Sequence, residues 1–283
     1  MRYKGRRQSS NIEDRRGAGM GRKVGVGGGI GTIVIVLLVV VLGGDPETAM
    51  EVMNQGQGQQ TTETYQASAH EQELVEFVGV VLADTEDVWK KLFQQSGLNY
   101  REPKLVLFNG QAQSACGFSS AATGPFYCPG DEKVYIDLNF LEKLQTRLGA
   151  KGDFAMAYIV AHEVGHHVQK LLGTMDQVQS QRGRVSDRVY NKLTVRLELQ
   201  ADFYAGIWAY HAQKMKNILE EGDIDEAMNA AKAVGDDTIQ KRSQGYVVPD
   251  SFTHGTSAQR MLWFKKGLTT GNVELGDTFS AEI

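Results

Sequence analysis

The chain has 283 residues, 41% of them apolar and 23% charged, which excludes a disordered or fibrous polymer and leaves room for one large or two small domains. Its net charge of −4 hides an asymmetry: residues 1–23 carry eight basic side chains against Glu13 and Asp14, a net +6, so the remainder carries −10. A basic tail on an acidic body can mean nucleic acid, but the tail has no interleaved aromatic residue beyond Tyr3, which argues against that partner.

The stretch after the tail points to a membrane instead. Val24 to Gly44 contains no charge, and its centre, Ile33 to Leu42, reads IVIVLLVVVL. A helix crosses a bilayer with about 20 apolar residues, a length reached here when Gly25, Gly27, Gly28, Gly29 and Gly31 are included. The expectation is a basic cytoplasmic tail over 1–23 and a transmembrane anchor over 24–44, with Asp45, Glu47 and Glu51 emerging on the far side. A cleaved signal peptide is the rival; the long basic region and the absence of a small-x-small cleavage site in LGGDPE disfavour it. Residues 45–68 are polar, rich in Gln and Thr, and read as a flexible linker.

The body spans 69–283. Leu74, Phe77, Val78, Val81, Leu82, Val88, Trp89 and Leu92 recur at helical spacing, and Gly97 ends the run. KLVLF (104–108) reads as a strand. PFYC, a turn at PGDE, and KVYID read as a hairpin, with Val134 and Ile136 alternating against Tyr135 and Asp137 as in a sheet with one buried face. The strand Lys133–Asp137 is a candidate exposed edge to which a peptide could add. Cys116 and Cys128 are the only cysteines. In an oxidising compartment they are expected to form a disulfide; two buried thiols are the alternative. Phe140 to Leu148 is expected to be a short helix.

The chemistry is concentrated in Asp153 to Gly173, DFAMAYIVAHEVGHHVQKLLG. Its first half is apolar nearly all round, the pattern of a buried helix, with Asp153 as the expected N-cap and Gly173 as the stop. His162 and His166 are one turn apart, so two imidazoles stack on one face and can bind one Zn²⁺, with Glu163 beside them as general base. Charged and imidazole groups inside an apolar helix need a partner, and a metal is one. His167 points about 100° away from His166 and reads as solvent-facing or as support for a ligand. Catalytic zinc takes three protein ligands and an open position. Met175, not a histidine, lies nine residues beyond His166, so the third ligand is sought elsewhere. A long helical pattern from Asp187 to Ile218 holds Glu198 and Asp202, one turn apart, among Leu197, Ala201, Phe203, Ala205, Gly206, Ile207 and Trp208. Glu198 is the expected ligand. Asp202 is expected to accept the remaining ring N–H of His162, and Ala201 and Ala205 would let two helices approach closely. Glu163 would take the proton of the attacking water and give it to the leaving amine. His254 or Tyr204 could supply the oxyanion donor. Asp223 is expected to cap a further helix stopped by Gly235, and an amphipathic helix through Leu262, Trp263 and Phe264 closes the body.

With these motifs in place, the chain resembles the bacterial neutral zinc metallopeptidase family. The matching stretches are MRYKGRRQSSNIEDRRG, YREPKLVLF, ACG, GPFYCPGDEKVYIDLNF, GDFAMAYIVAHEVGHHVQ, ELQADFYAG, GDIDEAMNAAKAVGDD and SFTHGTSAQR. The resemblance implies a single-pass protein of the bacterial inner membrane with its N-terminus cytoplasmic and its catalytic domain outside. It also supports the set His162, Glu163, His166 and Glu198. The fold expected is α+β and mainly helical, a zincin-like domain with a small sheet packed on the HExxH helix, preceded by the transmembrane helix. The expected function is a zinc-dependent peptidase acting on peptides or proteins. The rival is a non-enzymatic anchored zinc module that contacts an envelope partner.

Overall fold

The structure, a computed structural model, describes residues 1–17, 65–120, 124–140 and 152–283. The fold is mainly helical with a small mixed sheet. Helix α1 (Ala69–Gln95) opens with a reciprocal capping box between Ser68 and Glu71 and buries Leu74, Phe77, Val78, Val81, Leu82, Val88, Trp89 and Leu92. The four-stranded sheet has the order β1 (Ile12–Asp14), β2 (Lys104–Phe108), β6 (Lys133–Asp137), β5 (Phe126–Cys128). The pairs β1–β2 and β2–β6 are parallel, and the expected hairpin forms the antiparallel pair β5–β6.

Both faces of this sheet are covered, where the sequence pattern suggests only one. Leu105, Leu107, Val134 and Ile136 enter the main core with the helices. Val106, Phe108, Tyr135 and Cys128 form a second cluster with Ala112. Ala112 belongs to a hairpin of β3 (Gln111–Ser114) and β4 (Gly117–Ser120) that the short, weakly patterned sequence does not announce. Cys116 and Cys128 are joined, with Cα atoms 5.8 Å apart. The strand Lys133–Asp137 is not an exposed edge, because it lies between β2 and β5; the terminal strand on that side is β5.

The helical layer consists of α2 (Asp153–Leu171), α3 (Thr174–Gln179), α4 (Asp187–Lys216), α5 (Asp223–Ala233), α6 (Asp236–Gln244) and α7 (Ser257–Thr270). Helix α6, whose DDTIQKRSQ holds a single apolar residue, has no amphipathic signature. Asp153 is the first residue of α2 and not its cap, which is Gly152; its carboxylate instead takes the Met1 ammonium at 2.5 Å. Asp223 likewise follows its cap, Gly222. Residues 1–17 are therefore no free tail: they supply β1 and pack on the body. The expected anchor 24–44, linker residues 45–64 and the helix expected after Phe140 lie outside the described residues. Among those described, no helix is long and apolar enough to cross a membrane.

Helices α2, α4 and α7 pack at distances only small residues allow. A Cβ on Gly165 of α2 would lie 3.0 Å from the Ala201 carbonyl oxygen on α4. A Cβ on Gly206 would lie 2.1 Å from the Phe264 oxygen, and one on Gly267 2.1 Å from the Phe203 oxygen. Gly206→Ala should therefore force α4 and α7 apart and lower the unfolding free energy by about 1–3 kcal/mol or more. Denaturant titration checks this: the midpoint should fall with an unchanged slope, and an unchanged midpoint would show that the crossing is not tight.

Candidate metal centre

Helix α2 is buried from Phe154 to Gln169, so its polar side chains must find partners inside the protein. His162 and His166, one turn apart, face Glu198 on α4. His162 Nε2 lies 3.2 Å from Glu198 Oε2, and His166 Nε2 lies 3.4 Å from Glu198 Oε1. One ligand atom from each of the three falls within 4.8 Å of the others. The Asp153, Asp223 and Glu226 carboxylates are as close to one another, but the Met1 ammonium sits at the first two and Glu226 accepts the Phe154 N–H.

Each imidazole has its other nitrogen fixed. His162 Nδ1 lies 2.8 Å from Asp202 Oδ1. Asp202, fully buried, is held in turn by the Tyr158 hydroxyl at 2.5 Å and by Arg260 through Nε at 2.8 Å and a terminal nitrogen at 2.9 Å. His166 Nδ1 donates to Gln169 Oε1 at 2.9 Å, and the Gln169 amide is oriented by donating to the Leu197 carbonyl at 2.6 Å. Both Nε2 atoms thus turn to Glu198. Two neutral imidazoles and a carboxylate, each imidazole with a fixed acceptor behind it, are the donor set and surroundings that suit a catalytic zinc ion. The residues fit zinc.

The electrostatics follow from burial and charge. Burial opposes ionisation of Asp202, but the Arg260 guanidinium and His162 outweigh it and hold the carboxyl at about 2. Burial also works against a charged His162, but Asp202 and Glu198 push it up to about 10. Burial raises Glu163, against the nearby His166 and His162. Glu198 is kept well below its ordinary value despite its burial, chiefly by His166 and His254.

His254 lines the same cavity of about 780 Å³ as His162, Glu163, His166, Glu198 and Arg260. Its loop is tied down by Asp236, which accepts the Thr253, His254 and Gly255 N–H groups at 2.8, 2.7 and 3.0 Å. Asp236 Oδ1 also lies 3.2 Å from His254 Nδ1. Although partial burial works the other way, the Glu198 and Asp236 carboxylates raise His254. Tyr204 does not share this cavity; its ring is buried against Trp89 and Phe203. His167 neither faces solvent nor supports a candidate ligand. It is fully buried, donates to the Arg101 carbonyl at 2.6 Å and accepts from the Tyr127 hydroxyl at 3.0 Å; burial lowers its pKa and keeps it neutral.

Tyr158, Gln169, Asp236 and Arg260 escaped the sequence reading. Tyr158 is four residues before His162 and Gln169 three after His166, so the helical spacing that pairs the histidines also places these two on their face. Arg260 and Asp236 carry no such signal, because they reach the site from other elements.

Residues 1–279 match the family described as "Putative neutral zinc metallopeptidase". The chain belongs to this family. It is 45% identical over 288 residues to "Uncharacterized protein YpfJ" of Escherichia coli, covering all of both chains. It is 44% identical over 205 residues to "Uncharacterized protein Rv2575" of Mycobacterium tuberculosis, covering 69% of this chain and 67% of that one. No solved structure matches it.

The geometry separates Glu198 from Asp202. Glu198→Ala should nearly abolish zinc binding, whereas Asp202→Ala should leave a site weakened about 10–100-fold. Zinc titration against a competing chelator distinguishes them. Loss of metal in Asp202→Ala with retention in Glu198→Ala would make Asp202 the ligand.

Proposed function

We propose that this chain is a zinc-dependent peptidase that hydrolyses peptide bonds in the cavity above α2, with Glu163 as general base. The observation that carries the reading is the placement of His162, His166 and Glu198 in one cavity with Glu163 and His254, the ring Nε2 atoms of the first two both turned to the Glu198 carboxylate. A structural zinc site has no use for a second carboxylate, Glu163, left over beside its ligands.

Zinc held by His162, His166 and Glu198 would polarise the scissile carbonyl and bring the pKa of water to about 7. Glu163, raised by burial, accepts the proton of the attacking water and returns it to the leaving amine. His254, raised by Glu198 and Asp236 against its burial, donates to the carbonyl oxygen as negative charge develops there. Arg260 is a positioning residue: through Asp202 it holds the ring of His162. Phe126, Tyr127, Ile159, Met175, Val178 and Leu197 give the cavity an apolar wall that suits a large apolar substrate side chain. Strand β5, the sheet's terminal strand, borders it and offers backbone groups to an extended peptide.

Glu163→Gln should keep zinc and fold while turnover falls about 10²-fold or more; near wild-type turnover in a zinc-loaded Glu163→Gln protein would end the proposal. His254→Ala should lower kcat about 10²-fold at unchanged zinc content. Asp236→Asn removes one carboxylate that raises His254, so His254 loses its proton at lower pH. The alkaline limb of the kcat profile should therefore move to lower pH, and an unmoved limb would remove His254 from the mechanism.

A further inference from the structure

We infer that the folded body, its first seventeen residues included, lies wholly on one side of the membrane, with Gly17 and Tyr65 meeting at a single point of its surface. This differs from the topology expected of the sequence, in which the bilayer separates a basic tail from the catalytic domain. It stands whether or not the cavity is a peptidase site.

The first seventeen residues are built into the body by contacts that cannot form across a bilayer. Arg6 meets Asp84 at 2.6 Å, and Arg7 meets Glu86 at 3.1 Å and Asp87 at 2.7 Å. A hydrocarbon core is about 30 Å thick, so these pairs place both partners in one compartment. Glu86 is buried, and its described partners all come from this segment: Arg7, the Ser9 hydroxyl and Asn11 Nδ2 at 2.9 Å. The backbone is committed as well. The Leu105 N–H donates to the Asn11 carbonyl and the Arg15 N–H to the Leu107 carbonyl, each at 2.8 Å, along the parallel pair β1–β2. Without β1, the wholly buried Leu-Val-Leu of β2 would become an open sheet edge.

Helix α1 carries a trace of the same contact. Gly79 sits in its buried interior, where glycine costs about 1 kcal/mol relative to alanine. The Ser9 N–H donates to the Gly79 carbonyl at 2.9 Å, and a Cβ there would come within 3.3 Å of Gln8 and Ile12. The glycine makes room for the N-terminal segment.

The described residues on either side of 18–64 also meet. A Cβ on Gly17 would fall 2.3 Å from Tyr65 Cβ, and the Arg16 guanidinium lies 5.7 Å from the centre of the Tyr65 ring. A single crossing by 24–44 would deliver these two residues to opposite faces of the bilayer. If the apolar stretch enters lipid, the chain must come back to the face it left.

Cysteine accessibility in the full chain tests this. The Lys4 and Arg188 side chains are 77% and 65% exposed, on the N-terminal segment and on the catalytic body, and the native cysteines are paired. Lys4→Cys and Arg188→Cys variants are treated in intact cells with a membrane-impermeant maleimide, and again after detergent. Both should be labelled, or both protected, in cells, and both labelled after detergent. One labelled and one protected in cells would overturn the inference. A Lys4→Cys/Glu73→Cys variant checks docking separately, since those two side chains pair at 3.2 Å. A short bis-maleimide should join them in isolated membranes. Two reactive thiols that stay unjoined would likewise overturn it.

Discussion

The site depends on one buried carboxylate. Asp202 ties three helices together: α4 carries it, α7 sends Arg260 to it, and α2 brings Tyr158 and His162. A lone charge at this depth would cost several kcal/mol. Arg260 supplies the opposite charge through two of its nitrogens, and its third nitrogen, donating to the Val234 carbonyl at 3.1 Å, fixes the guanidinium itself. The Asp202 carboxylate and the Arg260 guanidinium carry opposite charges, so the pair has no net charge. Asp202 can therefore orient an imidazole without adding charge near Glu163. Removing Arg260 would leave the carboxylate uncompensated, so α7, which carries none of the proposed ligands, is still required for their geometry.

That arrangement needs helix axes closer than ordinary side chains permit. Gly165 and Ala201 let α2 and α4 approach beside the histidines, and Gly206 and Gly267 do the same for α4 and α7. Close approach brings Glu198 within about one hydrogen-bond length of both Nε2 atoms. It also leaves little room for water behind them, so each Nδ1 must find a protein acceptor. Asp202 and Gln169 are those acceptors. The small residues, the candidate ligands and the groups behind them are thus parts of one constraint.

Much of the site was legible because it is written on two helices. Spacing alone places His162 over His166 and Glu198 over Asp202, and the apolar neighbours show that both helices are buried. Helix α1 and the β5–β6 hairpin were legible for the same reason, since their apolar residues recur at periods of about 3.6 and 2. The rest was not local. The Asp153 carboxylate looks like a cap until the Met1 ammonium is seen beside it. His167 looks exposed because its helix turns it away from the ligands, yet the direction it faces holds Tyr127 and the Arg101 carbonyl. Periodicity reports which residues share a face and is silent on what that face meets.

The charge asymmetry of the sequence shows the same limit in another form. Eight basic residues before an apolar stretch satisfy the rule that keeps positive charge in the cytoplasm. They also satisfy a second requirement that composition cannot separate from the first. Helix α1 presents Asp84, Glu86 and Asp87 in one turn, two of them buried, and those carboxylates need cations. Arg6, Arg7 and Lys216 supply them. A basic residue that a membrane would hold back as solvated charge is here a short-range partner with a defined acceptor. The two uses differ in what surrounds the charge. Topogenic positive charge can be scattered and interchangeable, whereas each cation in this cluster meets a defined carboxylate at hydrogen-bonding distance, with Arg6 and Lys216 sharing Asp84. The surroundings of Arg6 and Arg7 are of the second kind, and they make the N-terminal segment part of the protein's acidic body instead of its counterweight across a bilayer.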